Sequence, residues 1–290
     1  MFQGVYPAIV TPFKAGEVDY QGLEENINFL IDNGVDGIVV VGTTGESPTL
    51  TYEEHKKVVE KAVEFVDGRV QVIAGAGSNS TREAIDLSVF AEDVGADAIL
   101  SITPYYNKPT QEGLKKHYSE IAKAVNLPII IYNLPSRTGV NIEPRTLKEL
   151  SEEFDNIVAI KEANPNLSQV SEIILNTDLI VLSGNDELTL PILALGGKGV
   201  ISVVANILPK EMKDLVSYAL NNNYDKAREI HYKLYPLMKA LFLETNPIPV
   251  KTALNLLGKP AGELRPPLCE MSEENKKILE DVLKSLGLLG

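Results

Sequence analysis

The amino-acid sequence predicts an α/β fold: a (β/α)8 TIM barrel with a C-terminal helical extension. Three observations lead there. Short apolar runs bounded by turn residues recur along the chain, and most are apolar throughout instead of alternating, as strands buried on both faces must be. Amphipathic stretches with helix start and stop signals lie between them. Eight such strands spread over about 220 residues match the size and pattern of this barrel. A doubly wound open sheet is the main rival that local pattern leaves standing.

The strands are expected at residues 8–10, 37–41, 70–74, 98–102, 128–132, 157–161, 180–183 and 199–203. Helices at 21–33 and 82–94 are each followed by a glycine, Gly34 and Gly95, placed as C-caps. Thr51 with Glu54, and Ser80 with Glu83, read as capping boxes at helix starts. The segments NGVDGIVVVG and VGADAILSI repeat one unit of glycine, short loop and apolar strand after a helix. Beyond Val203 the strand signal stops, and helical stretches follow at 210–221, 224–243, 250–257 and 272–286. The first of these is the last barrel helix. The expected organisation is therefore a catalytic barrel over 1–223 and a helical extension over 224–290, with no Gly/Ser/Pro-rich linker between them. Arg265-Pro266-Pro267 reads as a rigid turn.

The 290 residues are 44% hydrophobic and 23% charged, the balance of a packed globular protein. A formal net charge of −13 repels nucleic-acid phosphates and anionic lipid surfaces, so neither is an expected partner. Small anionic substrates remain open to it, because a pocket can carry local positive charge. The one cysteine, Cys269, permits no internal disulfide and points to no oxidising compartment. Residues 1–13 lack the basic start of a signal peptide, and no run approaches the roughly 18 apolar residues that span a bilayer. The expected location is the cytoplasm.

In such a barrel the functional groups collect at the C-terminal ends of the strands. Here those ends read Gly42-Thr43-Thr44-Gly45-Glu46, Thr103-Pro104-Tyr105-Tyr106-Asn107, Tyr132-Asn133-Leu134-Pro135-Ser136-Arg137, Lys161-Glu162-Ala163-Asn164 and Ser183-Gly184-Asn185-Asp186. Polar, titratable and glycine residues gather at just these places. Lys161 closes an apolar strand, where burial would favour the neutral, nucleophilic amine. Position alone also leaves it open to snorkel to solvent or to pair with a nearby acid such as Glu162. The glycines and threonines of 42–45 can turn tightly and present N–H and O–H donors to a carboxylate, or form an ordinary turn. Tyr106 and Tyr132 suit proton relay, or aromatic packing. Arg137 could grip a carboxylate in bidentate fashion, or lie solvated. His55, His117 and His231 show no metal-ligand spacing, the 42–45 loop lacks the Walker lysine, and neither metal nor cofactor is expected.

Together these strand ends resemble the dihydrodipicolinate synthase/N-acetylneuraminate lyase family of class I aldolases. The matching segments are GTTGES, TPYYNKPTQEGL, YNLPSRTG, IKEAN, LSGNDE, GGKGVISV and ETNPIPVK, in family order at comparable spacing. Within the family, TPYYN with YNLPSRTG is more similar to the synthases of the diaminopimelate route to lysine than to the sugar-acid lyases. The resemblance implies a lyase in which Lys161 forms a Schiff base with pyruvate, and the resulting enamine attacks L-aspartate 4-semialdehyde. It implies a proton relay of Thr43, Tyr132 and Tyr106, the last reaching in from a neighbouring subunit of a homotetramer built as a dimer of dimers. The Thr43-Thr44 backbone would hold the pyruvate carboxylate, Arg137 the semialdehyde carboxylate, while Gly184 and the Ile201 carbonyl line the lysine pocket. Ser47, His55, Asn79, Glu83 and Tyr105 match an allosteric lysine site, with Pro48 and Tyr52 departing from its pattern. The alternative within the family is cleavage of a sugar keto acid of the 2-keto-3-deoxygluconate or N-acetylneuraminate type; outside it, a non-catalytic barrel that binds a keto acid.

Overall fold

A computed structural model describes residues 2–290. Eight strands carry the fold: β1 Gly4–Pro7, β2 Gly37–Val40, β3 Gln71–Gly75, β4 Ala98–Ile102, β5 Ile129–Asn133, β6 Ile157–Glu162, β7 Ile180–Ser183 and β8 Gly199–Ser202. Every neighbouring pair is parallel, and the spatial order β1-β8-β7-β6-β5-β4-β3-β2 is sequential once the ends are joined. The joint between β1 and β2 is made by the Ala8–Val39 bridge, with Ile9 N donating to Val39 O and Asp36 N to Val5 O, each at 3.0 Å. A doubly wound sheet would reverse its order at a switch point, and this one does not.

Seven of the eight expected strands lie where the apolar runs place them, to within a residue or so. The first does not. It was expected at 8–10 and forms at Gly4–Pro7, in register with β8 from Gly4–Gly199 to Pro7–Ser202. The whole stretch from Val5 to Val10 is apolar and buried, so apolarity could not mark which part is laddered. Pro7 is the last residue in register with β8; Ala8 and Ile9 cross to Val39 of β2, and Val10 N turns to the Asn206 side chain at 3.3 Å.

The outer layer is α1 Tyr20–Asp32, α2 Tyr52–Val66, α3 Thr81–Asp93, α4 Gln111–Ala124, α5 Pro144–Glu153, α6 Leu167–Asn176, α7 Thr189–Ala194 and α8 Pro209–Leu220. Gly34 and Gly95 end α1 and α3 with φ of 79° and 86°, as C-cap glycines should. The Thr51–Glu54 capping box of α2 is complete. At α3 only half of the expected box exists: the Ser80 hydroxyl accepts from Glu83 N, while the Glu83 carboxylate accepts the Ser78 hydroxyl at 2.8 Å instead of returning to Ser80. Residues 13–14 and 17–18 pair as a small antiparallel hairpin that the sequence reading did not anticipate.

Three apolar clusters order the interior. One fills the barrel itself, with Tyr6, Val39, Ile73, Leu100, Ile130, Leu182 and Ile201, and is capped by Tyr132. A second lies between the strands and the surrounding helices. The third runs without a break from Val5 of β1 and Val200 of β8 through α8 into three further helices, α9 Tyr224–Ala240, α10 Ile248–Leu256 and α11 Glu273–Ser285. The C-terminal helices therefore share a core with the barrel wall.

They are also tied to it by charge. Lys251 of α10 and Glu46, in the loop after β2, form an ion pair at 2.7 Å with exposures of 1% and 0%. The ammonium donates as well to Glu263 O at 2.6 Å and lies 4.3 Å from the centre of the Phe13 ring. Beside it, Arg265 grips Glu54 through two bonds of 2.7 Å and reaches Gly16 O and Thr49 O. Removing one member of so dry a pair strands the other, which costs about 3–5 kcal/mol. Lys251→Met is expected to lose about that much stability in urea unfolding, and the Lys251→Met/Glu46→Leu double variant less than the single one. A single variant as stable as the parent would show that the pair does not anchor the extension.

Candidate active site

The pleat of β6 decides what Lys161 can do. Successive side chains of a strand point to opposite faces, so Ala159 and Lys161 face the barrel axis while Ile160 and Glu162 face the helices. Lys161 pairs in register with Tyr132 of β5, and its ammonium nitrogen lies 4.0 Å from the centre of that ring. The side chain is 6% exposed, and no carboxylate among the described residues lies within ion-pair distance of it. Burial disfavours the charged amine and lowers its pKa to about 7, against a smaller upward pull from Asp186. Asp186 has other work. Its oxygens accept from the Ser202 hydroxyl at 2.5 Å and from Val203 N and Val204 N at 2.9 and 3.1 Å.

Glu162, one residue on, is buried on the far side of the strand. Its carboxylate accepts from Asn133 Nδ2, Gln169 Nε2 and Asn164 N at 2.7–3.1 Å. Burial raises its pKa to about 7 while these donors hold it down. It is no partner for Lys161, and the pairing that sequence position left open does not occur.

The 42–46 loop leaves β2 through two left-handed turns, Val41 at φ 47° and Glu46 at φ 56°. A β-branched residue rarely adopts that conformation, and it persists only where the surroundings fix it. The fixing contacts are visible. The Thr11 hydroxyl donates to Gly45 O at 2.6 Å, Asn246 Nδ2 donates to the Thr44 hydroxyl at 3.0 Å, and Glu46 is held by Lys251. Thr43 and Thr44 are thereby set beside Tyr132. Burial raises the Tyr132 phenol to about 12, and its interaction with the Thr43 hydroxyl pulls the other way, so the phenol keeps its proton at neutral pH.

A cavity of about 200 Å3 opens over Lys161, walled by Thr43, Thr44, Tyr132, Arg137, Gly184, Val203 and Asn246. Gly184 is required there: a Cβ would lie 2.7 Å from Ala163 Cβ and 3.1 Å from Lys161 Cγ. Arg137 stands on a single helical turn, Pro135–Thr138, and donates to Asn246 O at 2.9 Å, leaving most of its fork free. A second cavity of about 200 Å3 shares Thr43, Tyr132 and Arg137 with the first and runs out past Ser47, Pro48 and Tyr105.

So the structure brings Lys161, Tyr132, Thr43, Thr44, Arg137 and Gly184 to one place. Ile201 lies within the barrel interior cluster, and Val203 lines the cavity instead. Tyr106 is elsewhere: it is 89% exposed, has a left-handed φ of 72° and lines neither cavity. Around the proposed regulatory residues, Ser47 lies 3.4 Å from His55 Nδ1, His55 Nε2 is 2.8 Å from Gly75 O, and Asn79 O accepts from Asn107. His55, His117 and His231 stand on α2, α4 and α9.

A family model described as the dihydrodipicolinate synthetase family matches residues 1–286. The chain belongs to that family. A 4-hydroxy-tetrahydrodipicolinate synthase of Methanocaldococcus jannaschii is 75% identical over 289 residues, 100% of both chains. A crystal structure of a dihydrodipicolinate synthase superposes with a TM-score of 0.99 at 75% identity, covering 99% of this chain and 100% of that one. Two more distant family members, each with a TM-score of 0.97, were solved with ligands. The enzyme of Acinetobacter baumannii, 44% identical over 100% of both chains, was solved with pyruvate; that of Cyanidioschyzon merolae, 43% identical over 99% of both, was solved with lysine.

Sequence reasoning missed three members of the site. Asn246, Phe242 and Val203 line the cavity, the first two from the loop after α9. The signal for Asn246 was present in ETNPIPVK, which carried the family resemblance without a role for each residue.

The lowered pKa of Lys161 fixes a pH dependence. A lysine shifted down to about 7 is half neutral there, and only the neutral amine attacks a carbonyl. Capture of a keto acid on Lys161 should rise through pH 7 and fall about fivefold from pH 7 to pH 6, measured as adduct trapped at subsaturating concentration. A titration limb above pH 9 would show a solvated amine.

Proposed function

We propose that the protein condenses pyruvate with L-aspartate 4-semialdehyde as a 4-hydroxy-tetrahydrodipicolinate synthase, a lyase of the diaminopimelate route to lysine. The observation that carries the reading is a buried, unpaired Lys161 amine beside a protonated phenol, under an arginine that faces the same cavity. The neutral amine adds to the pyruvate ketone, and loss of one water gives the imine. The Thr43-Thr44 segment holds the pyruvate carboxylate. Removal of a C3 proton gives the enamine, whose carbon bonds to the aldehyde carbon. The new alkoxide takes a proton from the relay of Tyr132 and Thr43. The substrate's own amine then attacks the imine carbon and displaces Lys161, closing the ring and freeing the enzyme without a second water.

Arg137 favours this reading over a sugar-acid lyase. A fork-shaped cation with free N–H groups at the mouth of a small cavity suits a short aldehyde ending in a carboxylate better than a polyhydroxylated chain. Tyr106 completes the relay from a second copy of the chain in a homotetramer. What supports that step is its exposure and its strained backbone, which serve nothing within one chain. The barrel of residues 1–223 carries the chemistry, and residues 224–290 brace it. Among the described residues no helix is long and apolar enough to cross a membrane, and we place the enzyme in the cytoplasm.

Borohydride reduction in the presence of pyruvate is expected to trap an adduct on Lys161 alone, and Lys161→Ala to lose all measurable turnover with aspartate semialdehyde. An adduct on another residue, or an active Lys161→Ala, ends the proposal. Turnover of 2-keto-3-deoxygluconate or N-acetylneuraminate at a higher kcat/KM would transfer it to the sugar-acid lyases.

Regulation by L-lysine is proposed at Ser47, His55, Asn79, Glu83 and Tyr105. Glu83 does not return to the α3 cap, so the structural role first assigned to it lapses, and Tyr105 and Ser47 border the outer cavity. L-lysine at millimolar concentration should lower the initial rate; an unchanged rate removes the regulatory site.

A further inference from the structure

Asn246 stands where the helical extension meets the barrel, and it touches two of the groups that face the cavity. Its side-chain amide donates to the Thr44 hydroxyl oxygen at 3.0 Å, and its main-chain carbonyl accepts from Arg137 at 2.9 Å. The residue is buried and lines the cavity over Lys161. We infer that Asn246 is a positioning residue for the keto acid: by occupying one lone pair of the Thr44 hydroxyl, it leaves that hydroxyl's proton free for the substrate carboxylate. The inference rests on the site reading given above and adds a role that the barrel strands alone do not supply.

Hydrogen-bond arithmetic carries it. A threonine hydroxyl has one proton to give and two lone pairs. Buried without such a donor, a hydroxyl turns its own proton onto a nearby carbonyl, as Thr11 does to Gly45 O. Thr44 makes no such bond; its hydroxyl only accepts, from Asn246. Its proton is therefore unassigned in a buried residue that lines the cavity. An anionic carboxylate is the strongest acceptor that could take it.

A second observation bears on the same residue. The other end of the amide, Asn246 Oδ1, is buried and has no partner among the described residues. Buried polar atoms are ordinarily satisfied, and an amide present only to fill space would be replaceable by an aliphatic side chain without leaving one stranded. An asparagine with one end unpaired is in place for what its other end does. Arg137 meets only the main-chain carbonyl, so side-chain substitutions at 246 leave that contact in place and isolate the Thr44 arm.

The test measures pyruvate capture, which needs no turnover. Borohydride trapping on Lys161 is followed against pyruvate concentration in the full-length protein and in Asn246→Ala, Thr44→Val and the double variant. Loss of one hydrogen bond that carries to an ionised group should raise half-saturating pyruvate about tenfold in Asn246→Ala. The KM for aspartate semialdehyde should move by less than about threefold, because Arg137 is untouched. Thr44→Val should show a comparable rise in half-saturating pyruvate, and the double variant no more than Thr44→Val alone, since both remove one interaction. Asn246→Asp keeps the shape but brings an acceptor and a like charge, and should raise half-saturation at least as far. Additive effects in the double variant would overturn the inference. So would folded Asn246→Ala or Asn246→Asp protein with unchanged half-saturation, the result a purely structural role predicts. Failure of the unaltered protein to form any adduct would bring down the site reading and this inference with it.

Discussion

Everything in this site depends on taking one amine out of water without giving it a counter-ion. Two lysines are buried among the described residues, and their surroundings separate them. Lys251 meets the Glu46 carboxylate at 2.7 Å and a main-chain carbonyl at 2.6 Å; burial lowers its pKa, but the carboxylate pulls it back. It works as a tie. Lys161 meets an aromatic face and no carboxylate, and its one acidic neighbour has its oxygens engaged by Ser202, Val203 and Val204. It is the amine we propose as the nucleophile. The chemistry of each is decided by what accepts its protons, and burial is common to both.

The barrel makes that separation possible because its strands alternate. A carboxylate next to Lys161 in sequence would ordinarily be a natural partner for it. The pleat sends Glu162 to the opposite face, where three side-chain and main-chain donors from Asn133, Gln169 and Asn164 hold it between β6 and the helices. The same residue pair that reads as a salt bridge in the sequence is thus an unpaired amine, our proposed nucleophile, on one side of the sheet and a polar anchor on the other. That anchor joins the ends of β5 and β6, the two strands that carry Tyr132 and Lys161.

What was legible in the sequence follows the same physics. Runs such as residues 157–160 and 38–41 are apolar because both faces are covered, so the strand count and the strand ends could be read from them. The strand ends then gave Lys161, Tyr132, Thr43, Thr44, Arg137 and Gly184, all of which gather around one cavity. The first strand was misplaced because apolarity runs on past Pro7 into buried chain that makes only the isolated Ala8–Val39 bridge. The Ser80–Glu83 box was half right because spacing identifies an N-cap but cannot show that Ser78 competes for the carboxylate. Contacts between residues some 200 positions apart, Glu46 with Lys251 and Thr44 with Asn246, leave no periodic mark and could not be read.

Those long-range contacts explain why the chain continues beyond the eighth barrel helix. The loop after β2 holds two non-glycine residues in left-handed backbone, and such a loop keeps its shape only if something outside it does the holding. The barrel supplies contacts from Thr11 and from His55 on Ser47. The extension adds Lys251 on Glu46, Arg265 on Thr49 O, and Asn246 on Thr44. Its apolar core is continuous with β1, β8 and α8, so these groups are carried on a rigid base rather than on a mobile tail. The barrel thus provides the proposed nucleophile and the phenol from its strands, while the loop after β2 is held by residues that come last in the sequence and pack against it from outside.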